Sequence, residues 1–136
     1  MRTYARGRNL PGHTPGVMNR DERLYAEILE GQKLAGEIIE WKFEPIKFKV
    51  SHTSTTIGNK TRHSPSWWAP DFLVLCFDQV VELVDVKGTR PDEQAQRRLI
   101  RIVAESHPWF RFVVARRIKR SEGGGFQREE IEPILS

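Results

Sequence analysis

Trp68-Ala69-Pro70-Asp71-Phe72-Leu73-Val74-Leu75-Cys76-Phe77, then Asp78-Gln79, then Val80-Val81-Glu82-Leu83-Val84-Asp85-Val86-Lys87-Gly88, is the stretch on which the fold turns. Two short apolar runs flank a turn-like dipeptide, which predicts a β-hairpin with strands over 71–77 and 80–86. Reversal at Asp78-Gln79 sets Asp71 opposite residues 85 to 87. Period two places Asp85 and Lys87 on one strand face, and pairing of Asp71 with Asp85 would bring the first acid to that face as well. Directly opposed carboxylates repel, so the arrangement is costly unless a cation lies there. The plainer alternative is that Asp71 merely opens a strand while Asp85 and Lys87 form a solvated pair at a strand end.

Working outward towards the N-terminus, Asn19 and Glu22 have capping-box spacing, and Leu24, Tyr25, Ile28 and Leu29 follow at helical intervals up to Gly31 or Gly36. From Ile38 to Val50 the pattern alternates and slips phase at Glu44-Pro45, which predicts one strand with a bulge or bend there. Residues 51–66 are rich in Ser, Thr, Gly, Asn and Pro and read as a mobile loop. Towards the C-terminus, Thr89 to Asp92 can start a second helix with Ala95, Leu99, Ile102 and Val103 as its buried stripe. His107-Pro108 ends that helix, and residues 110–118 form a further strand. Trp41 and Trp109 read as core aromatics. The expected fold class is α/β, a mixed sheet flanked by helices, with the last strand able to pair parallel to a neighbour through the helical crossover.

A chain of 136 residues, 38% of them hydrophobic, is long enough for one core and too short for two ordinary domains. The organisation read from it is a flexible basic arm over 1–18, a folded domain over 19–120 and a polar tail over 121–136 introduced by Gly123-Gly124-Gly125. With 22 Lys and Arg against 18 Asp and Glu, the net charge of +4 suits a polyanionic partner. The basic residues are uneven: Arg2, Arg6 and Arg8 share an arm without an acid, and others crowd between Arg97 and Arg120. The single cysteine, Cys76, excludes a disulfide within the chain and reads as a small buried hydrophobe. No apolar stretch reaches the length of a membrane span and no secretory signal is evident, so a reducing, cytoplasmic setting is expected.

Two carboxylates with a lysine suit a hard cation, Mg²⁺ with Mn²⁺ able to substitute. The histidines His13, His52, His63 and His107 are scattered without the paired spacing of a zinc site. Pro70-Asp71 and Asp85-Val86-Lys87, in a hairpin that follows one helix and precedes another helix and a strand, resemble the PD-(D/E)XK nuclease superfamily. Together with Tyr25 and the Gly36-Glu37-Ile38 junction, they look most like small phage-associated endonucleases and Holliday-junction-resolvase-like nucleases. The resemblance covers roughly residues 19 to 118 and implies a restriction-endonuclease-like fold and Mg²⁺-dependent hydrolysis of DNA.

By the same resemblance, Asp71, Asp85 and the carbonyl of Val86 hold the metal, and Lys87 orients the attacking water or stabilises charge on the phosphate. An acid from the first helix commonly completes such a site. Glu22 is the favoured candidate, although its capping role alone would explain it, and Glu27 is its rival; Glu44 is a weaker possible ligand. Candidate DNA contacts are Arg2, Arg6 and Arg8 of the arm, Trp67 or Trp68 as a stacking or wedging ring, and Arg97, Arg98 and Arg101 of the second helix. One of the two tryptophans is expected to pack inside instead. A homodimer and a preference for branched DNA are compatible with the resemblance. The competing readings are a non-catalytic nucleic-acid-binding or recombination-accessory protein, and the nuclease subunit of a larger restriction or transposition complex.

Overall fold

A computed structural model describes residues 16–57, 60–90 and 94–132, with the backbone alone described over 51–57 and 60–66. Arg2, Arg6 and Arg8 lie outside the described residues. Asn19 caps helix α1 (Arg20–Leu34): its side-chain oxygen accepts the Glu22 N–H at 2.8 Å and Glu22 Oε1 accepts the Asn19 N–H at 2.9 Å. Two of the donors left open at the helix start are thereby satisfied. The helix buries Glu22, Tyr25, Ala26 and Leu29, while Ile28, expected inside, is exposed. It runs through Gly31 to a cap at Ala35, and Gly36 (φ 79°) takes the left-handed conformation that turns the chain into the sheet.

Strand β1 (Ile38–Phe43) ends sharply at Glu44, which has φ 47°. The expected single bent strand is therefore two strands in different sheets, because this left-handed residue before Pro45 breaks the ladder rather than bending it. Strands β2 (Phe48–Ile57) and β3 (Lys60–Trp68) then pair with each other as an antiparallel two-stranded ribbon. The reading of 51–66 as a loop is corrected here. Its Thr53, Thr55, Thr56 and Thr61 are β-branched and favour extended backbone, and the ladder runs on to the pairing of Ile57 with Lys60.

Strands β4 (Phe72–Cys76) and β5 (Val81–Lys87) form the anticipated hairpin. Cys76 N–H donates to the Val80 carbonyl, so the turn is Phe77-Asp78-Gln79, with Gln79 at φ 71° and Asp78 Oδ1 accepting the Val80 N–H. Helix α2 (Gln94–Ser106) crosses over to β6 (Arg111–Arg117), which pairs parallel to β5. Helix α2 buries Ile100, Val103 and Ala104, with Leu99 partly covered; Ala95 and Ile102 are exposed, so the buried stripe is rotated from the expected one. A short 3₁₀ turn (Arg120–Glu122) and the glycines lead into β7 (Phe126–Glu130), antiparallel to β6. The supposed polar tail is thus an edge strand of the sheet, and Ile131 beyond it is buried. Edge strands have one solvated side and carry polar sequence, which hid it.

The protein is a mixed α/β domain whose five-stranded sheet has the order β1-β4-β5-β6-β7. On one face α1 packs Tyr25, Ala26 and Leu29 against Phe72, Val74, Val84, Val113 and Ala115. On the other, α2 and the base of the ribbon pack Ile100, Val103, Val50 and Trp68 against Leu83, Phe112 and Val114. Trp41 lies partly buried beside the first cluster, whereas Trp109 is 65% exposed and is no core residue.

Candidate active site

The β4–β5 register pairs Phe72 with Val84, so one step further the backbone sets Asp71 opposite Asp85. Asp71 sits just before β4, where the Glu44 N–H donates to its carbonyl at 2.8 Å. The left-handed Glu44 thus tethers the end of β1 to the base of the site. Asp71 Oδ2 accepts the Val86 N–H at 2.7 Å, a bond that aims the carboxyl at the end of β5. Asp85 is 5% exposed and Lys87 Nζ lies 2.9 Å from its Oδ2. That contact is an ion pair, and Asp85 Oδ2 has no hydrogen-bond partner besides it.

Burial first, and the facing Asp85 carboxylate second, push the Asp71 carboxyl up to about 10; the charge of Glu22 adds to this and the Val86 N–H opposes it. At neutral pH the cation-free pair therefore keeps a proton, which holds two acids together where two charges would repel. Glu22 is 3% exposed and spends one oxygen on the cap, so it reaches Asp71 through its field while serving the helix start. Glu27 is exposed and lines a surface groove with Arg20, Arg117 and Arg120. Glu44 Oε1 accepts the Gly16 N–H at 2.8 Å.

The donor set fits a hard divalent cation: two oxygen ligands, one of them a buried oxygen lacking a hydrogen bond, the other holding a proton that a cation would displace. Among the described residues no three His, Cys, Asp or Glu side chains form a ready-made metal cage. Mg²⁺ needs no such cage, since one or two carboxylates with waters and substrate phosphate suffice.

Gly88 lets α1 approach this end of the sheet. A Cβ there would come 3.1 Å from Asp21 Oδ2, and Asp21 is held by Arg117 at 2.9 Å. Of the candidate DNA contacts, Trp67 is 49% exposed and Trp68 is 2% exposed, stacked with Phe48 and tilted against Phe112. Trp68 therefore leaves the candidate DNA surface, because period two along β3 sends adjacent rings to opposite faces. Arg98 and Arg101 are exposed on α2 beside Arg97, which pairs with Glu129 of β7.

Sequence reasoning missed a third buried acid. Glu82 is 4% exposed and accepts from Arg111 at 3.2 Å and Arg128 at 2.7 Å, with Arg128 also donating to the Tyr25 hydroxyl at 2.9 Å. It lies at the turn end of β5, away from Asp85, and is satisfied by arginines rather than left for a metal. A glutamate inside an otherwise apolar strand was the available signal. Cys76 lies partly buried near this cluster, and burial, then the Glu82 charge, raise its thiol above the ordinary range.

No known family model matches this chain, and no curated protein does. Three chains of solved structures match it; one, described as "Crystal structure of SSO0001", is 13% identical, with a TM-score of 0.42, covering 85% of this chain and 52% of that one. The chain spans about half the length of that structure. No helix among the described residues is long and apolar enough to cross a membrane.

Proposed function

We propose that this chain is a metal-dependent endonuclease that hydrolyses phosphodiester bonds in DNA, with Asp71, Asp85 and Lys87 at its centre. The observation that carries the reading is the pairing of the half-buried Asp71 with the buried Asp85, set opposite one another beside Lys87 at the open end of the hairpin. Without a charged ligand the pair costs stability, and structural roles rarely demand such an arrangement. Asp71, Asp85 and the Val86 carbonyl would hold Mg²⁺ or Mn²⁺, which supplies polarisation of the scissile phosphate and a bound water of lowered pKa.

The chain's own groups do the positioning. The Val86 N–H keeps Asp71 aimed, and Lys87, whose ammonium lies 2.9 Å from Asp85, would orient the attacking water or stabilise charge on the phosphate. Glu22 contributes negative charge from α1. Arg98 and Arg101, the exposed Trp67 and the arm bearing Arg2, Arg6 and Arg8 are the proposed DNA contacts. A homodimer would set two such sites on symmetric strands, which suits branched or junction DNA.

The alternative, a non-catalytic DNA-binding protein, draws on the Lys87–Asp85 ion pair, which neutralises one acid without a metal. Incubation of the purified protein with four-way junctions, flaps, nicked duplex and linear duplex, with Mg²⁺, Mn²⁺ or EDTA, separates the two. Metal-dependent cutting lost in Asp85→Ala supports the nuclease; binding without cutting in either metal rejects it.

A further inference from the structure

We infer that the β2–β3 ribbon is a DNA-engaging element that enters the groove of a duplex and sets the backbone against the candidate active site, an inference that takes its DNA partner from the nuclease reading. The two strands pair from Phe48↔Trp68 to Ile57↔Lys60 and, among the described residues, join no other strand. One end is anchored: Val50 and Trp68 are buried with Leu83, Ile100 and Phe112, and Phe48 packs on His107 and Phe110. The seven residues of β2 after Val50 then extend roughly 23 Å at ordinary strand rise. An isolated two-stranded ribbon is marginal in water and offers two unpaired edges, so a long one that joins no sheet calls for a partner.

The charge pattern says which partner. Residues 45–70 contain no Asp or Glu, in a chain with 18 of them, and include Lys47, Lys49, Lys60 and Arg62. At the root of the ribbon the exposed Trp67 ring has Lys47 Nζ 5.3 Å and Lys49 Nζ 6.0 Å from its centroid. Acid-free, hydroxyl-rich strands with cations at root and tip suit a phosphate-lined groove, and the major groove, about 12 Å wide, admits a two-stranded ribbon. Trp68, buried in the core, stands three residues before Asp71, so the ribbon and the carboxylates share one rigid support. A duplex held by the ribbon is thereby placed relative to the candidate site.

The test measures binding of the full chain to a fluorescent duplex in EDTA over a range of salt, with Lys60→Gln/Arg62→Gln and Lys47→Gln/Lys49→Gln as separate double variants. Two lost phosphate contacts lower the slope of log Kd against log salt by ~1.8, equivalent to ~60-fold weaker binding at about 0.1 M salt. Melting temperatures identify either variant that fails to fold, and the other then carries the test. Parental slopes in folded variants overturn the ribbon proposal while leaving Mg²⁺-dependent cutting, and hence the nuclease reading, intact. Ribbon-dependent binding by a protein that cuts nothing upholds the ribbon and sinks the nuclease. Absence of duplex binding by the parent overturns the ribbon outright.

Discussion

Replacing Asp71 by Asn should stabilise the metal-free protein, and by more as the pH rises. The Asp71 carboxyl lies at about 10 in the fold against 3.8 ordinarily, so the folded state holds a proton that the unfolded chain releases above pH 4. Stability is then fully present below pH 4 and falls steadily as the pH rises towards 10. At pH 7 about three pK units of that interval have been crossed, a ceiling of ~4 kcal/mol at ~1.4 kcal/mol per unit. Solvent at this partly exposed site reduces it, and a gain of about 1–2 kcal/mol is expected. The Asn oxygen can still accept the Val86 N–H and its amide can donate to Asp85, so no buried group is orphaned. For a domain of this size that corresponds to roughly 3–6 °C in Tm. Thermal melts in EDTA at pH 4.5, 7 and 9 should show parent and variant nearly together at the lowest pH and diverging upward. Added Mg²⁺ should raise the parent more than the variant, because binding favours the folded state and displaces the retained proton. A variant less stable than the parent at pH 9, or a gain independent of pH, would refute the account of the paired acids.

Asp85→Ala and Asp71→Ala should each abolish metal-dependent cutting while circular dichroism and melting show a folded protein, since each removes a carboxylate that the fold only tolerates. Glu22→Gln keeps the side-chain acceptor for the Asn19 N–H, so a large rate loss with little change in Tm is expected, whereas Glu27→Gln, on the exposed groove, should cut normally; the reverse result would reassign the helix acid. Glu82→Ala should cost about 1–2 kcal/mol in chemical denaturation, because Arg111 and Arg128 lose the buried carboxylate they share while Arg111 keeps Asp78 and Arg128 keeps the Tyr25 hydroxyl, and cutting by the folded fraction stays unchanged. The Cys76 thiol should react with a thiol reagent more slowly at pH 8 than a free cysteine does, and equal rates would contradict its raised pKa.

How much was legible beforehand depends on whether a feature is local. Asn19 with Glu22, and two apolar runs around Asp78-Gln79, encode their geometry within a few residues, so the cap, the hairpin and the opposition of Asp71 to Asp85 could be read from sequence alone. The ribbon, the edge strand β7 and the break at Glu44 could not. Each depends on which partner a polar segment finds, and period and composition carry no information about partners. Trp67 and Trp68 show the division within two residues: alternation requires one ring inside, but only the packing of β3 over Phe112 decides that it is Trp68. The same holds for the acids. Sequence placed Glu22, Asp71 and Asp85 near one another, yet the burial that makes Asp71 hold a proton, and the Val86 N–H that aims it, arise only when α1 and the sheet close around them.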